Sequence, residues 1–544
     1  MKAVTAPLTA ELSRWVATLG FDRVPARVRA RLSGQVLSVL AAAHAARHSA
    51  PARAVLAMVE AHGAPGRLPV VPTGVRRSLA DALLGNAACG MALDYDDYLF
   101  MGHTGHSAIW VPLLLGAELA ADPREVVCAM AAANEVAGRL GAACLLGPQN
   151  GQLWSFIHLA GAACAASRLL GLDPARTADA LGIALAQPNY GLFPGFLGPG
   201  SKLLTAATPA IAGVQAARLA AAGLTGCRTV LEDPRGFLRH FAFRPLPQML
   251  SGWGEAWVTE TLAVKPYPGC AYVDTAIDAL REILAAEPVD PREVERVVVQ
   301  ASLLTVEMDR LGREQRGRLS SASVAFDLGV AVAVTLLDGD LTARGLADER
   351  LAAERAALLD LAGRVRVEHD WRFTADTIVH LAGRLGPDRL AGNLGLWDWL
   401  AVRRRSRELL GPGALDLGLR EGLRLHRELP AVQRARLRGL LFRRLAARPG
   451  GAPSLAGADM GQVGLPFGAR VSVGLRSGRT ITREKLFPRG SPLAGDLDEV
   501  AREKWRREAI EPLGAARTAR VEALAADLAR TPPGELLEAA AREG

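Results

Sequence analysis

The side chains best suited to moving protons fall in one short stretch of the sequence. Leu93-Asp94-Tyr95-Asp96-Asp97-Tyr98 is followed by Gly102-His103-Thr104-Gly105-His106-Ser107, which sets three carboxylates and two imidazoles within thirteen residues. Carboxylates this close raise one another's pKa. Histidine titrates near neutrality, so the pairing fits general acid–base chemistry. A metal site is a second reading, because His103-x-x-His106 beside aspartates is ligand chemistry. An acidic helix end joined to a polar loop is a third. Gly102 and Gly105 give the stretch the texture of a loop rather than of the helix that carries an HExxH pair.

Three further segments offer polar groups where an element begins. In Gly147-Pro148-Gln149-Asn150-Gly151-Gln152-Leu153-Trp154-Ser155-Phe156-Ile157-His158, amides precede an apolar helix. They suit an anion at the helix N-terminus or an ordinary cap, and His158 alone reads as a core histidine. Lys202, in Gly200-Ser201-Lys202, opens a helix at the end where the dipole disfavours a cation. A carboxylate ligand between helix end and ammonium would account for it. Lys265-Pro266-Tyr267-Pro268-Gly269-Cys270 places a second lysine on a rigid turn, with Tyr272 just beyond. Of 64 basic residues only five are lysines, Lys2, Lys202, Lys265, Lys485 and Lys504. Where arginine is the default cation, a lysine inside the chain hints at chemistry that needs a compact, titratable ammonium. Either lysine taken singly also reads as a surface cation.

Helices must position these groups. Apolar residues recur at three- and four-residue spacing in 26–46, 77–93, 108–121, 123–146, 154–171, 174–187 and 203–223. Asp122-Pro123 and Asp173-Pro174 are helix starts, and Gly171 and Gly223 are stops. The run 187–200 is too rich in glycine and proline for regular structure. Beyond 258 the texture changes. Glu295–Ala301 and Arg364–Glu368 read as strands, and Ala469–Leu475 with Arg479–Lys485 as a hairpin about Arg476-Ser477-Gly478. Helices over 270–286 and 322–337 lie among them, and 496–530 returns to helix. The divisions are therefore 1–258, helical; 259–489, α+β, interrupted over about 374–465 by helical, arginine-rich sequence; and 490–544, a helical return. The interruption is expected to pack on the α+β part, with Trp397 and Trp399 anchoring a buried face. Gly411-Pro412-Gly413 and Pro449-Gly450-Gly451 divide it into helical lengths.

Bulk properties narrow the class. A chain of 544 residues exceeds one compact core. Half of its residues are apolar and 22% are charged, as in a globular protein. The most apolar stretch, 126–146, carries Asn134, Glu135 and Arg139, and Glu11 and Arg14 interrupt any signal-like run, so a soluble cytoplasmic protein is expected. The six cysteines are scattered without a CxxC pair, which argues against a zinc ribbon or a disulfide framework. The net charge of +8 is concentrated in 400–450, where thirteen arginines face four acids. Those arginines punctuate leucines at helical spacing and few aromatics lie nearby to stack bases, so no nucleic-acid partner is expected.

The motif order also resembles a known family, MmgE/PrpD. The matching pieces are LDYDDY with the histidine loop, NEVAGRL, AASRLLGLDPARTADALGIALAQ, GSKLLTAATPAIAGVQAARLAAAGLTG, VLEDPRGF, KPYPGC, VAVTLLDG and GRTITREKLFPRGSPLAGD, in order over about 80–500. The resemblance implies a mainly α fold: a large all-helical domain built from both chain ends and a smaller α+β lid, with the cleft between them. It implies a homodimer, no metal or organic cofactor, and a small carboxylate-containing substrate. By position it implies catalytic roles for Asp94, Lys202, Lys265 and one of His103 and His106. It places Tyr98, Gln152, His158, Tyr267, Cys270 and Tyr272 as substrate contacts. Two departures stand out. Gln152 lies where the family's dehydratases and decarboxylase have histidine, and Cys270 where the decarboxylase has histidine. The first points away from 2-methylcitrate and cis-aconitate as substrates. The expected activity is a lyase or isomerase moving a proton beside a carboxylate, dehydratase-like first, decarboxylase or epimerase otherwise. The alternative is an altered family member acting as a binding or biosynthetic partner.

Overall fold

The computed structural model describes residues 7–149, 151–386, 389, 395–410, 427–446 and 453–543. Helices dominate them. The sequence signals for helix ends act as read: the Asp122 carboxylate accepts from Arg124 N ahead of Pro123–Ala143, and Asp173 accepts from Arg176 N ahead of Pro174–Ala186. Gly171 and Gly223 take positive φ after Ser155–Leu169 and Leu204–Ala221. The glycine- and proline-rich run is less irregular than its composition suggests, because Phe193–Phe196 closes one helical turn.

Two hydrophobic cores organise the molecule. The larger gathers Leu8–Thr18, Ala26–Ala45, Pro123–Ala143, Ser155–Leu169 and Leu204–Ala221 with the distant Leu497–Ala526 and Pro533–Ala540. Alanines let these helices approach closely, and a Cβ on Gly213 would meet Leu159 O at 2.4 Å. Pro512 and Gly514, the latter at φ 76°, kink the long returning helix.

The smaller core lies between a four-stranded sheet and the helices Ala271–Ala286 and Leu328–Asp338. Sheet order is Val365–His369, Val294–Ala301, Ala469–Leu475, Thr480–Lys485, the first pair parallel and the others antiparallel. Alternate residues of Val294–Ala301, including Val297 and Val299, point into that core.

The arginine-rich interruption meets the α+β part through Leu429 and Leu437, which pack with Trp371. Leu396–Leu410 and Ala431–Ala446 are helical. Its ends, however, seat on the helical core, through Leu385, Leu455, Met460 and Val463. Arg389 stitches them by donating to Ser454 O and Ala456 O, while Gln248 donates to Arg389 O. Trp397 is 81% exposed and anchors nothing. The side chain of Trp399 and the breaks at 411–413 and 449–451 lie outside the described residues. Periodicity identifies a helix and its apolar side, but not which of two cores that side meets.

Candidate active site

A two-residue strand brings the site together. Asp97–Tyr98 pairs antiparallel with Ala263–Val264, Asp97 opposite Val264 and Tyr98 opposite Ala263. The register lays the Asp94–Asp96 loop against Lys265, the residue after that strand. Asp94 itself sits at φ 53°, a left-handed conformation that aspartate tolerates better than most residues. Gly269 N donates to Leu93 O at 2.9 Å and closes the loop on the lysine turn.

The lysines converge on the loop's acids. Lys265 Nζ donates to Asp94 O at 2.7 Å, Asp94 Oδ1 at 3.2 Å and Asp96 Oδ1 at 2.5 Å. Lys202 Nζ lies 3.4 Å from Asp94 Oδ2, between the faces of Phe196 and Phe326 at 5.1 and 4.7 Å. Gln152 donates to Asp94 Oδ1 and, at 3.3 to 3.4 Å, to both Asp96 oxygens. Burial works against the Lys265 ammonium, yet Asp94 and Asp96 outweigh it and raise its pKa. Burial also opposes ionisation of Asp96, but Lys265 and His103 hold its carboxyl well below the usual range.

Asp96, which sequence reasoning left in the cluster without a role, is the hub. Its Oδ2 meets His103 Nδ1 at 2.8 Å and His106 Nε2 at 3.0 Å. With Asp96 ionised, each of those nitrogens is the N–H donor. The His103 side chain keeps 13% exposure and that of His106 keeps 1%. His158 stands behind His106, ring centroids 5.7 Å apart, with Nδ1 3.1 Å from Ser107 Oγ and no exposure. Burial first, then His106 and His103, push its pKa well down, so the ring is neutral. It packs behind His106, and its Nε2 has no hydrogen-bond partner among the described residues.

The remaining candidates separate. Tyr98 and Tyr272 flank Phe467, at 5.9 and 4.7 Å between rings, and Tyr98 also lies 6.4 Å from the His103 ring. Cys270 is buried beside Phe196 and Phe326, and burial pushes its thiol up to about 12, so it is no thiolate. Tyr267 belongs elsewhere. Its hydroxyl donates to Asp278 Oδ1 at 2.7 Å and accepts from Arg281 at 2.9 Å, inside the smaller core. The KPYPGC turn carries it away from the acids that Lys265 meets, which sequence spacing alone does not reveal.

Support comes from residues to which sequence analysis assigned no role of their own. Asp97 accepts from Gln35 Nε2 at 2.8 Å and Gly105 N at 3.3 Å. Gln35 and Asn134 exchange amide bonds at 3.1 and 2.7 Å, and Thr104 donates to Asn134 at 2.5 Å. Lys504, from the returning helix, donates to Tyr95 O at 2.6 Å and Ser38 Oγ at 2.8 Å, with Nζ 4.0 Å from the Tyr95 ring centroid. The rarity of lysine was the one signal for it. Phe196, Phe326 and Phe467 carry none that distinguishes them from other core aromatics.

Family models match two parts of the chain: the MmgE/PrpD N-terminal domain over residues 10–248 and the MmgE/PrpD C-terminal domain over residues 267–385. The chain belongs to the MmgE/PrpD family. The second match stops at Leu385, where the arginine-rich interruption leaves the helix Trp371–Leu385. Two relatives named cis-aconitate decarboxylase, from Aspergillus terreus (strain NIH 2624 / FGSC A1156) and from Aspergillus terreus, are 26% and 25% identical over 401 residues. The matched length is 70% of this chain and 81% of each relative. Among the described residues no helix is long and apolar enough to cross a membrane.

Proposed function

We propose that this member of the MmgE/PrpD family is a cofactor-independent lyase that takes a proton from the carbon beside a carboxylate of a small polycarboxylic acid, or returns one to it. The observation that carries the reading is the His103–Asp96 pair. Asp96 fixes Nδ1 as the donor nitrogen, which leaves Nε2 with a lone pair on the one imidazole of the cluster that retains solvent access. His106, sealed against His158, orients Asp96 from the other side.

The step balances with the side chains present. Nε2 of His103 takes the carbon-bound proton, and the electron pair moves into the adjacent carboxylate as an enediolate. Lys202 meets the added negative charge in a site sheltered from water. A β-hydroxyl that leaves with the proton of the imidazolium makes the reaction a dehydration. In a decarboxylation no proton is taken first: carbon dioxide leaves with its bonding pair left on carbon, and His103, starting as the imidazolium, delivers its Nε2 proton to that carbon. Gln152 holds Asp94 but cannot carry a proton, so proton traffic rests on His103.

Incubation in D₂O with a panel of citrate-like hydroxy acids and unsaturated tricarboxylic acids, followed by proton NMR, tests the reading. Deuterium entry at the carbon beside a carboxylate, or release of water or carbon dioxide, is expected with at least one of them. An acid that binds with neither exchange nor turnover would favour a binding-protein role, for which the clamp of Gln152 on Asp94 is the supporting feature.

A further inference from the structure

One buried carboxyl beside this cluster has no use in the chemistry above. Asp274 lies in the first turn of the helix Ala271–Ala286, one turn beyond Cys270, and is 1% exposed. Among the described residues neither of its oxygens has a hydrogen-bond partner. Such groups are rare in native proteins because an unpaired buried polar atom costs about 1–3 kcal/mol. Each calls for a partner that the packed chain does not itself supply.

The surroundings of Asp274 are those of the site. The helix that carries it starts against the site, because Ala271 and Tyr272 pack with Tyr98 and with Ala263 of the strand that leads into Lys265, and Lys265, Asp278, Lys504 and Asp94 act on its charge. Both lysines are already engaged, Lys265 by Asp94 and Asp96, Lys504 by Tyr95 and Ser38. Neither donates to Asp274. Burial is the dominant influence and pushes its pKa well above the carboxylate range, the lysines opposing and Asp278 and Asp94 adding to it. A neutral carboxyl is a hydrogen-bond donor, which an ionised one is not.

We propose that Asp274 carries a proton and donates it in a hydrogen bond to an oxygen of the bound acid, so that it helps decide which acids the site accepts. The inference rests on the polycarboxylic-acid reading above. In a site that already holds two carboxylate–lysine pairs, a neutral donor lets another anionic oxygen approach without the repulsion that a third carboxylate would exert. Asp274 thereby selects acids with an oxygen beyond the carboxylate met by Lys202.

The probe is tricarballylate, a saturated tricarboxylate with no hydroxyl to eliminate. Its affinity is measured by calorimetry across pH for the full-length protein and for Asp274→Asn and Asp274→Leu. Asn keeps an N–H donor and should bind within a few-fold of wild type. Leu should bind on the order of tenfold or more weakly, the usual loss for a hydrogen bond to a charged partner. Wild-type affinity should fall toward alkaline pH, as Asp274 ionises, by a margin that Asp274→Asn lacks. Infrared difference spectra of protein labelled with ¹³C-aspartate should show a protonated carboxyl band at neutral pH that is absent from Asp274→Asn and shifts when tricarballylate binds. Both variants remove an unpaired carboxyl and should melt no lower than wild type. Equal affinity of wild type and Asp274→Leu, or no protonated band, would overturn the proposal and leave the lyase reading intact. Failure of the wild type to bind any polycarboxylate would overturn both.

Discussion

Lys265 and Asp96 form a fully buried ion pair, with Nζ 2.5 Å from Oδ1, and the opposite oxygen of the same carboxylate meets His103 and His106. One carboxylate thus ties the lysine turn to the histidine loop. Desolvating two charges is repaid only where geometry is tight and the remaining lone pairs are used, and here they are.

Removing the hub should stop chemistry while sparing the fold. Asp96→Asn keeps the shape but no longer holds His103 in one tautomer. The rate constant for the proton-transfer step should fall by about 10²–10⁴, with circular dichroism unchanged. Retention of wild-type exchange in D₂O would remove Asp96 from the mechanism.

The two lysines of the candidate site should behave differently in denaturation. Lys265→Met leaves Asp94 and Asp96 buried without their main counter-charge, and a loss of about 3–5 kcal/mol is expected. Lys202 makes a looser contact with Asp94 and lies between two phenylalanine rings that a methionine can also fill. Lys202→Met should therefore cost far less stability and show its effect in carboxylate affinity. Urea unfolding of both variants checks the order.

Gly105 has no room for a side chain. A Cβ there would stand 2.0 Å from Asp97 Oδ1 and 2.6 Å from Val39 Cγ2. Gly105→Ala should displace the histidine loop and destabilise by about 1–3 kcal/mol. Its thermal midpoint and exchange activity should fall together, and a wild-type midpoint would show that the loop yields freely.

Lys504 gives stability a signature at alkaline pH. Burial lowers its pKa to about 7 in the folded protein, against 10.5 for an ordinary lysine. Between those values the unfolded chain binds the extra proton. Stability therefore rises with pH across that window, and the penalty of the buried ammonium is complete below about 7. The slope is about 1.4 kcal/mol per pH unit for one proton. Lys504→Met should flatten this rise relative to wild type in denaturation from pH 7 to 10. Parallel curves would mean that Lys504 stays charged where it lies.

Much of the helical framework was legible because its signals are local. Apolar spacing, Asp-Pro starts and glycine stops each involve a few consecutive residues, and Pro123–Ala143 and Pro174–Ala186 begin where those signals stand. Chemical type was legible as well: carboxylates, imidazoles and scarce lysines at the edges of helices mark where protons can move. Partnership was not legible. That Asp96 rather than Asp94 meets both histidines depends on which way three successive side chains of one loop point. That Tyr267 turns into the smaller core while Lys265 turns to the acids depends on the pairing of Ala263–Val264 with Asp97–Tyr98, across more than 160 residues of chain. The lone carboxyl of Asp274 and the seating of Leu385 and Leu455 on the helical core are decided the same way. Burial and hydrogen-bond completion belong to the packed chain, because the groups that supply them come from segments whose separation in sequence carries no trace of their contact.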